Sequence, residues 1–221
     1  MSRCLSRATL ITLLLPFAPN AFSAESVGIS FGVDHWWSST HNRAEDDGRN
    51  VNDDTSSFYF DIEHDVQYVP NFKLRYSSVN APNILSLDKY DYTFYYDIIE
   101  HELLQFDLGL TLSQYKNTKY QDLNSQGYDF NSSVWSIYAA GVIEIPNTNL
   151  DIIGQFDFAD RDVMKSAEVM AGLQYRIDIP VGELALRGGY RVMDYTFKEL
   201  GTPEDEELLV DGWFTGLQFS F

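Results

Sequence analysis

The most chemically suggestive spacing lies near the start of the chain. Gly28-Ile29-Ser30-Phe31-Gly32 matches the Gly-x-Ser-x-Gly pattern of a hydrolase nucleophile. That pattern works only at a sharp strand-to-helix turn, which lifts the serine oxygen beside an oxyanion hole. Here Ser30 sits inside an alternating stretch with no such turn, so the match reads as coincidence. Among His35, His41, His64 and His101, only His35 has reactive company, with Asp34 before it and Ser38 and Ser39 after it. A lipid- or peptide-modifying enzyme could be built around such a set. A histidine at a membrane rim needs no catalytic explanation, however, and the expectation is a chain without enzymatic activity. No histidine pair has zinc-ligand spacing. No catalytic, cofactor-binding or metal-ligating residue is therefore assigned.

Carboxylates are the richer source of candidates. One polar stretch holds Glu45, Asp46, Asp47, Asn50, Asn52, Asp53 and Asp54, and another holds Glu204 to Glu207. Oxygen-rich loops can take divalent cations, although neither stretch has the glycine and terminal glutamate of an EF-hand. A second set falls at alternate positions within apolar segments: Asp61, Glu63, Asp65, Asp91, Asp97, Asp107, Asp151, Asp157, Glu168, Asp178 and Glu183. Lys73, Arg75, Arg176, Arg187 and Arg191 share that face. Enclosed in a narrow lumen these groups must pair or stay hydrated, because an unpaired buried charge is costly. They form either a salt-bridged plug, which is preferred, or a thin acid-biased path for cations.

Period-two patterning says what must position them. Val27, Ile29, Phe31 and Val33 alternate with Gly28, Ser30, Gly32 and Asp34. Phe58, Phe60 and Ile62 are followed by Phe72, Leu74 and Tyr76, then by Tyr90, Tyr92, Phe94, Tyr96 and Ile98. Leu104 to Leu112, Trp135 to Ile145, Leu150 to Phe158, Ala167 to Ile177 and Leu184 to Val192 continue the pattern. The last strand sets Trp213, Leu217, Phe219 and Phe221 against Gly212, Gly216, Gln218 and Ser220. Alternation over such lengths means strands, about ten of them. Short turns at 69–71, 100–102, 146–149 and 180–182 alternate with longer polar connections at 38–55, 80–89, 116–132, 159–165 and 196–208. Short turns on one side and long loops on the other predict an up-and-down transmembrane β-barrel rather than a soluble barrel. The glycines on the polar face (Gly28, Gly32, Gly109, Gly172, Gly189, Gly212 and Gly216) suit a crowded lumen.

The N-terminus supplies the route of export. Arg3 and Arg7 precede an apolar run from Ala8 to Phe17, and Ala21-Phe22-Ser23 offers small residues for signal peptidase. Residues 1–23 read as a secretory signal peptide, cut after Ser23 or after Ala24, and residues 24–221 as the barrel. The run is too short to span a bilayer. Cys4, the only cysteine, leaves with the leader, so the mature chain has no disulfide or thiol chemistry. The formal net charge of −18 becomes about −20 without the leader, which argues against nucleic acid as a partner.

Several strand-building stretches also carry a resemblance: Val27-Gly28-Ile29-Ser30-Phe31-Gly32 ending in Trp36-Trp37, Pro70 to Tyr76, Phe106 to Leu112, Leu186 to Arg191, and the close at Phe221. Across the mature length the chain resembles a family of small outer-membrane β-barrel proteins of Gram-negative bacteria with no settled function. The resemblance implies a barrel and an address, and it brings no catalytic residues. The expected partners are outer-membrane lipid and lipopolysaccharide, the barrel-assembly machinery through the C-terminal strand, and divalent cations at the acidic loops. No cofactor is expected.

Overall fold

Each alternating segment becomes a strand. In chain order these are β1 (Val27–Asn42), β2 (Asn50–His64), β3 (Asn71–Ala81), β4 (Leu85–His101) and β5 (Leu104–Gln121). They are followed by β6 (Gly127–Glu144), β7 (Leu150–Asp160), β8 (Met164–Ile179), β9 (Gly182–Phe197) and β10 (Glu206–Ser220). The structure, a computed structural model, describes residues 27–42, 50–121, 126–160, 164–197 and 206–221. The signal-peptide assignment and part of the two acidic stretches, Glu45, Asp46, Asp47, Glu204 and Asp205, lie outside the described residues.

Every strand pairs antiparallel with its chain neighbour, and β1 pairs with β10 to close the barrel. At that seam Ile29 and Phe221 exchange backbone hydrogen bonds of 2.9 and 3.0 Å. The final aromatic is thus locked into the ladder rather than left as a tail. Both described termini and the four short turns share one rim. The turns after β2 and β6 use Tyr68 and Asn147 at positive φ, 66° and 60°.

The other rim departs from expectation. The strands do not stop where the sequence alternation fades. β4, β5 and β6 run for 17, 18 and 18 residues, where about 9–11 suffice to cross a bilayer. The segment expected as a long loop at 80–89 is strand on both sides of a tight turn at Pro82-Asn83-Ile84, with Asn83 at φ 64°. The physical reason is a change of phase. On β4, Tyr90, Tyr92 and Phe94 face outward, whereas Leu87 and Leu85, of opposite parity, are buried inside. The same exchange occurs on β3 between Tyr76 and Val79, on β9 between Val192 and Met193, and on β10 between Trp213 and Val210. Alternation continues, but its oily face turns from the outside to the inside.

Two ladders stop at about this height. β2 and β3 pair only from Phe58 to Ile62 against Tyr76 to Phe72, and β6 and β7 pair only from Ile137 to Glu144. Beyond the first limit side chains take over. Thr55 Oγ1 donates to the Ser78 carbonyl at 2.8 Å, and Asp53 Oδ2 accepts from the Asn80 amide at 2.7 Å. The long-loop half is therefore a pair of sheets, β3 to β6 facing β7–β8–β9–β10–β1–β2, around an apolar core. Tyr115 and Tyr195 meet edge to face across it, 6.1 Å between centroids.

Candidate functional site

The lumen is layered. At the long-loop end it is filled by side chains of the apolar core: Trp36, Leu85, Leu87, Met193, Leu208 and Val210 are all at most 2% exposed. None was expected to be an internal seal, and three of the six, Leu85, Leu87 and Leu208, lie in segments read as loops.

Beneath this seal lies an ionic layer. Glu168 on β8 accepts from Arg191 Nε at 3.0 Å, from Lys89 Nζ at 2.7 Å and from Arg75 Nη1 at 3.3 Å. Lys89 also pairs with Asp91 at 3.0 Å, and Ser113 Oγ donates to Asp91 at 2.6 Å. Arg75 Nη2 donates to Gln155 at 2.5 Å, and Gln155 in turn donates to Asp157 at 2.8 Å. Thr111 completes Asp157 at 2.9 Å. Three cations, Arg75, Lys89 and Arg191, thus balance Asp91, Asp157 and Glu168, all of them buried. Such a layer is held by its completeness, since removing one member strands the rest. Arg191 also lies over the Trp36 ring at 5.1 Å, joining this layer to the apolar seal.

Tyr59 marks the next level down. Its hydroxyl accepts from Arg187 and donates to Gln218 Oε1 at 2.8 Å. Lys73 and Arg187 approach its ring face at 5.3 and 5.1 Å, and Arg187 faces Asp34 at 3.7 Å. The ring is cross-strand to Gly32, where any side chain would collide with it. Lumen crowding thus explains Gly32. At Gly172 and Gly189, which face each other on β8 and β9, it is the neighbouring backbone that leaves no room.

The short-turn end opens into a vestibule of about 610 Å³. Asp61, Glu63, Asp107, Glu144, Asp151, Asp178 and Glu183 line it, against Lys73, Arg176 and Arg187. Lys73 pairs with Asp61 at 3.3 Å, and Arg176 reaches Glu144 at 3.2 Å and Asp151 at 3.0 Å. Tyr95 donates its hydroxyl towards both Asp61 and Glu63, at 2.7 and 3.0 Å. Asp97 is exposed near this rim and accepts from Asn71 at 3.0 Å.

One expected lumen residue is misplaced. Asp65 lies past the end of β2, exposed in a turn, because the strand ends at His64. Three lumen charges were missed: Asp34, Lys89 and Glu144. Parity could have found them all, since Lys89 shares the parity of Asp91, and Glu144 that of Tyr138. The Asp34–His35 pairing does not form. Asp34 points into the lumen, while His35 is on the outer wall, 4.7 Å edge to face with Trp37 and 3.5 Å from Ser56 Oγ. Adjacent strand residues point to opposite faces. Ser30 binds Ser220 Oγ at 2.9 Å on an unbroken strand, without the turn a nucleophile requires.

Outside, the wall carries a continuous apolar belt that includes Phe58, Leu110, Ile137, Leu173 and Leu217, all exposed. Aromatics mark its upper edge: Trp37 is cross-strand to Trp213, Trp213 to Tyr190, and Tyr76 to Tyr90. Above them the wall turns polar, with Ser39, Asp54, Asn80, Asp88 and Lys116. From Val27 to Trp37 on β1 the belt spans about 33 Å of strand, hence roughly 25 Å of height at a tilt near 40°. An apolar exterior this large is stable only against lipid. The fold is that of a bacterial outer-membrane β-barrel.

The solved structures similar to this barrel are of the same kind. They include the outer membrane protease OmpT of Escherichia coli, at 10% identity, with 91% of this chain and 99% of that chain covered and a TM-score of 0.47. Neisserial surface protein A is 12% identical, covering 88% and 97%, with a TM-score of 0.39. Ail of Yersinia pestis, solved with the heparin analogue sucrose octasulfate, is 11% identical, covering 88% and 99%, with a TM-score of 0.31. No protein-family model and no curated protein matches the barrel.

Proposed function

We propose that this barrel is a non-enzymatic, non-conducting envelope protein that works at the cell surface through its raised outer half and acidic loops. The observation that carries the reading is the apolar seal, where Leu208 and Val210 are 0% exposed inside the lumen. Water and ions have no reason to enter a cross-section filled with packed hydrocarbon. The outer half then serves as a rigid platform for loops rich in carboxylates, which suit divalent cations, lipopolysaccharide held through such cations, or a protein partner. The chain reaches this position as a precursor cleaved after Ser23 or Ala24, and the C-terminal strand with Trp213, Leu217, Phe219 and Phe221 is its handle for the assembly machinery.

Planar-bilayer recording of the refolded mature protein tests the central claim. Silence is expected from a barrel shown to be folded by its heat-dependent gel mobility. Reproducible cation-selective steps would instead favour a narrow channel along the lumen carboxylates. Trimming residues 43–49 should abolish cation or partner binding while the barrel still folds. Deleting Phe221, which removes a ring and the backbone pairing to Ile29, should leave unassembled protein in the periplasm.

A further inference from the structure

We infer that the outer wall between β5 and β6 carries a binding site for the phosphorylated sugar headgroup of a membrane glycolipid, the anchor end of lipopolysaccharide. The site lies across the barrel from the β1–β2 and β9–β10 connections. It is therefore separate from the carboxylate loops proposed above, holds its ligand without a bridging cation, and needs no closed lumen.

Its frame is a β-bulge. Tyr115 is cross-strand to Ser132 and Thr118 to Phe130, so Lys116 and Asn117 together oppose Asn131. Asn117 takes up the extra residue at φ 51°. Strand alternation is suspended there, and two successive side chains, Lys116 and Asn117, are both exposed. The bulge opens a hollow of about 570 Å³ on the outer wall, with Gln114, Lys116, Asn117, Asn131 and Ser133 in its lining. That volume falls within the range of small-molecule sites, roughly 300–1,000 Å³.

Height decides what the hollow meets. Gln114 is cross-strand to both Tyr90 and Ser133, which sets it level with the Tyr76–Tyr90 part of the aromatic edge. Trp135 is one outward-facing position below Ser133. Lys116 stands just above, its Nζ 5.3 Å from the Tyr90 ring centre. An aromatic edge marks the headgroup level of a bilayer. A lysine there lays its stem along the apolar wall and holds its ammonium among the headgroups.

Charge decides the class of ligand. In a mature chain of about −20, no carboxylate among the described residues lines this hollow. Asp88, cross-strand to Lys116, is engaged elsewhere: Tyr76 donates to its Oδ1 at 2.8 Å and Asn117 Nδ2 to its Oδ2 at 2.7 Å. Lys116 makes no ion pair with a described carboxylate. The far wall, by contrast, carries Asp54 and Asp211 near this height. Around the ammonium, the Gln114 and Asn131 amides and the Ser133 hydroxyl both donate and accept hydrogen bonds. One fixed cation among amides and a hydroxyl matches a phosphate joined to a sugar better than it matches a bare phosphate.

Native mass spectrometry of the refolded mature protein in detergent, titrated with lipid A, tests this. One retained lipid A per barrel is expected, with binding at least about tenfold weaker for lipid A stripped of its phosphates. Lys116→Gln should weaken binding by a similar factor, and Lys116→Arg should preserve it. Ser133→Trp, which fills the hollow without altering charge, should abolish it. Lys165→Gln, at an exposed lysine on β8, should leave it unchanged, as should EDTA. Binding that is lost in EDTA yet indifferent to Lys116→Gln would belong to the carboxylate loops; it would overturn this inference and leave the proposed function standing. Equal binding of the dephosphorylated lipid, equal weakening by Lys165→Gln, or survival in Ser133→Trp would also overturn it. So would full displacement by glucosamine 1-phosphate at matched concentration, which would point to a soluble ligand. Gel heat-modifiability confirms that each variant is folded.

Discussion

The two halves of this barrel are built from the same strands by opposite rules. In the membrane half, Leu217 and Phe219 of β10 face lipid while Gly216 and Gln218 face the lumen. A few residues away on the same strand, Leu208 and Val210 face inward and Asp211 faces out. The β9–β10 ladder runs unbroken from Glu206 to Ser220, so no bulge causes the exchange. What changes is the surroundings. Where the outer medium is lipid, hydrocarbon is stable outside, and the polar lumen must satisfy its own hydrogen bonds. Where the outer medium is water, hydrocarbon goes inside, as in a soluble sandwich. The ionic layer around Glu168 sits where the rules meet.

That comparison can be broken by substitution, most severely at the junction. Glu168→Ala removes the anion that holds Arg75, Lys89 and Arg191. A loss of about 3–5 kcal/mol is expected in urea unfolding from lipid vesicles. A loss below about 1 kcal/mol would mean that the layer is hydrated and loose.

The next test sits in one strand. Leu208→Ala leaves a cavity in the outer core and should cost about 2–5 kcal/mol. Leu217→Ala should cost much less, because lipid chains fill the gap. Equal costs would contradict the inversion.

Adding charge sharpens the boundary. Leu217→Arg places a guanidinium in the belt, at about 2–4 kcal/mol near the bilayer midplane. Leu209→Arg, also outward but above the aromatic edge, should stay within about 0.5 kcal/mol. A large penalty at Leu209 would raise the membrane boundary towards the loops.

Much of the fold was legible in the chain because a strand exposes its two faces at alternate residues. Trp213, Leu217, Phe219 and Phe221 declare an oily face, and similar runs declare the other strands of the membrane half. Legibility failed where the phase turned over. Leu85 and Leu87, out of step with Tyr90 and Tyr92, looked like the end of a pattern although the strand continued. A reader who allows the oily parity to switch once per strand would have found the outer core, and Lys89 with it. The same parity rule was enough to set Asp34 and His35 on opposite faces.

By itself, then, the sequence determined the strand count, the lipid-facing belt and most of the charges on the lumen side. These follow from local periodicity, which needs no knowledge of distant residues. Only the tertiary structure decided which charges pair and where the lumen is closed. Arg75 meets Glu168 across 93 positions of sequence, and Arg187 meets Tyr59 across 128. Barrel closure and strand stagger set those meetings, and both are properties of the whole ladder that no single segment encodes.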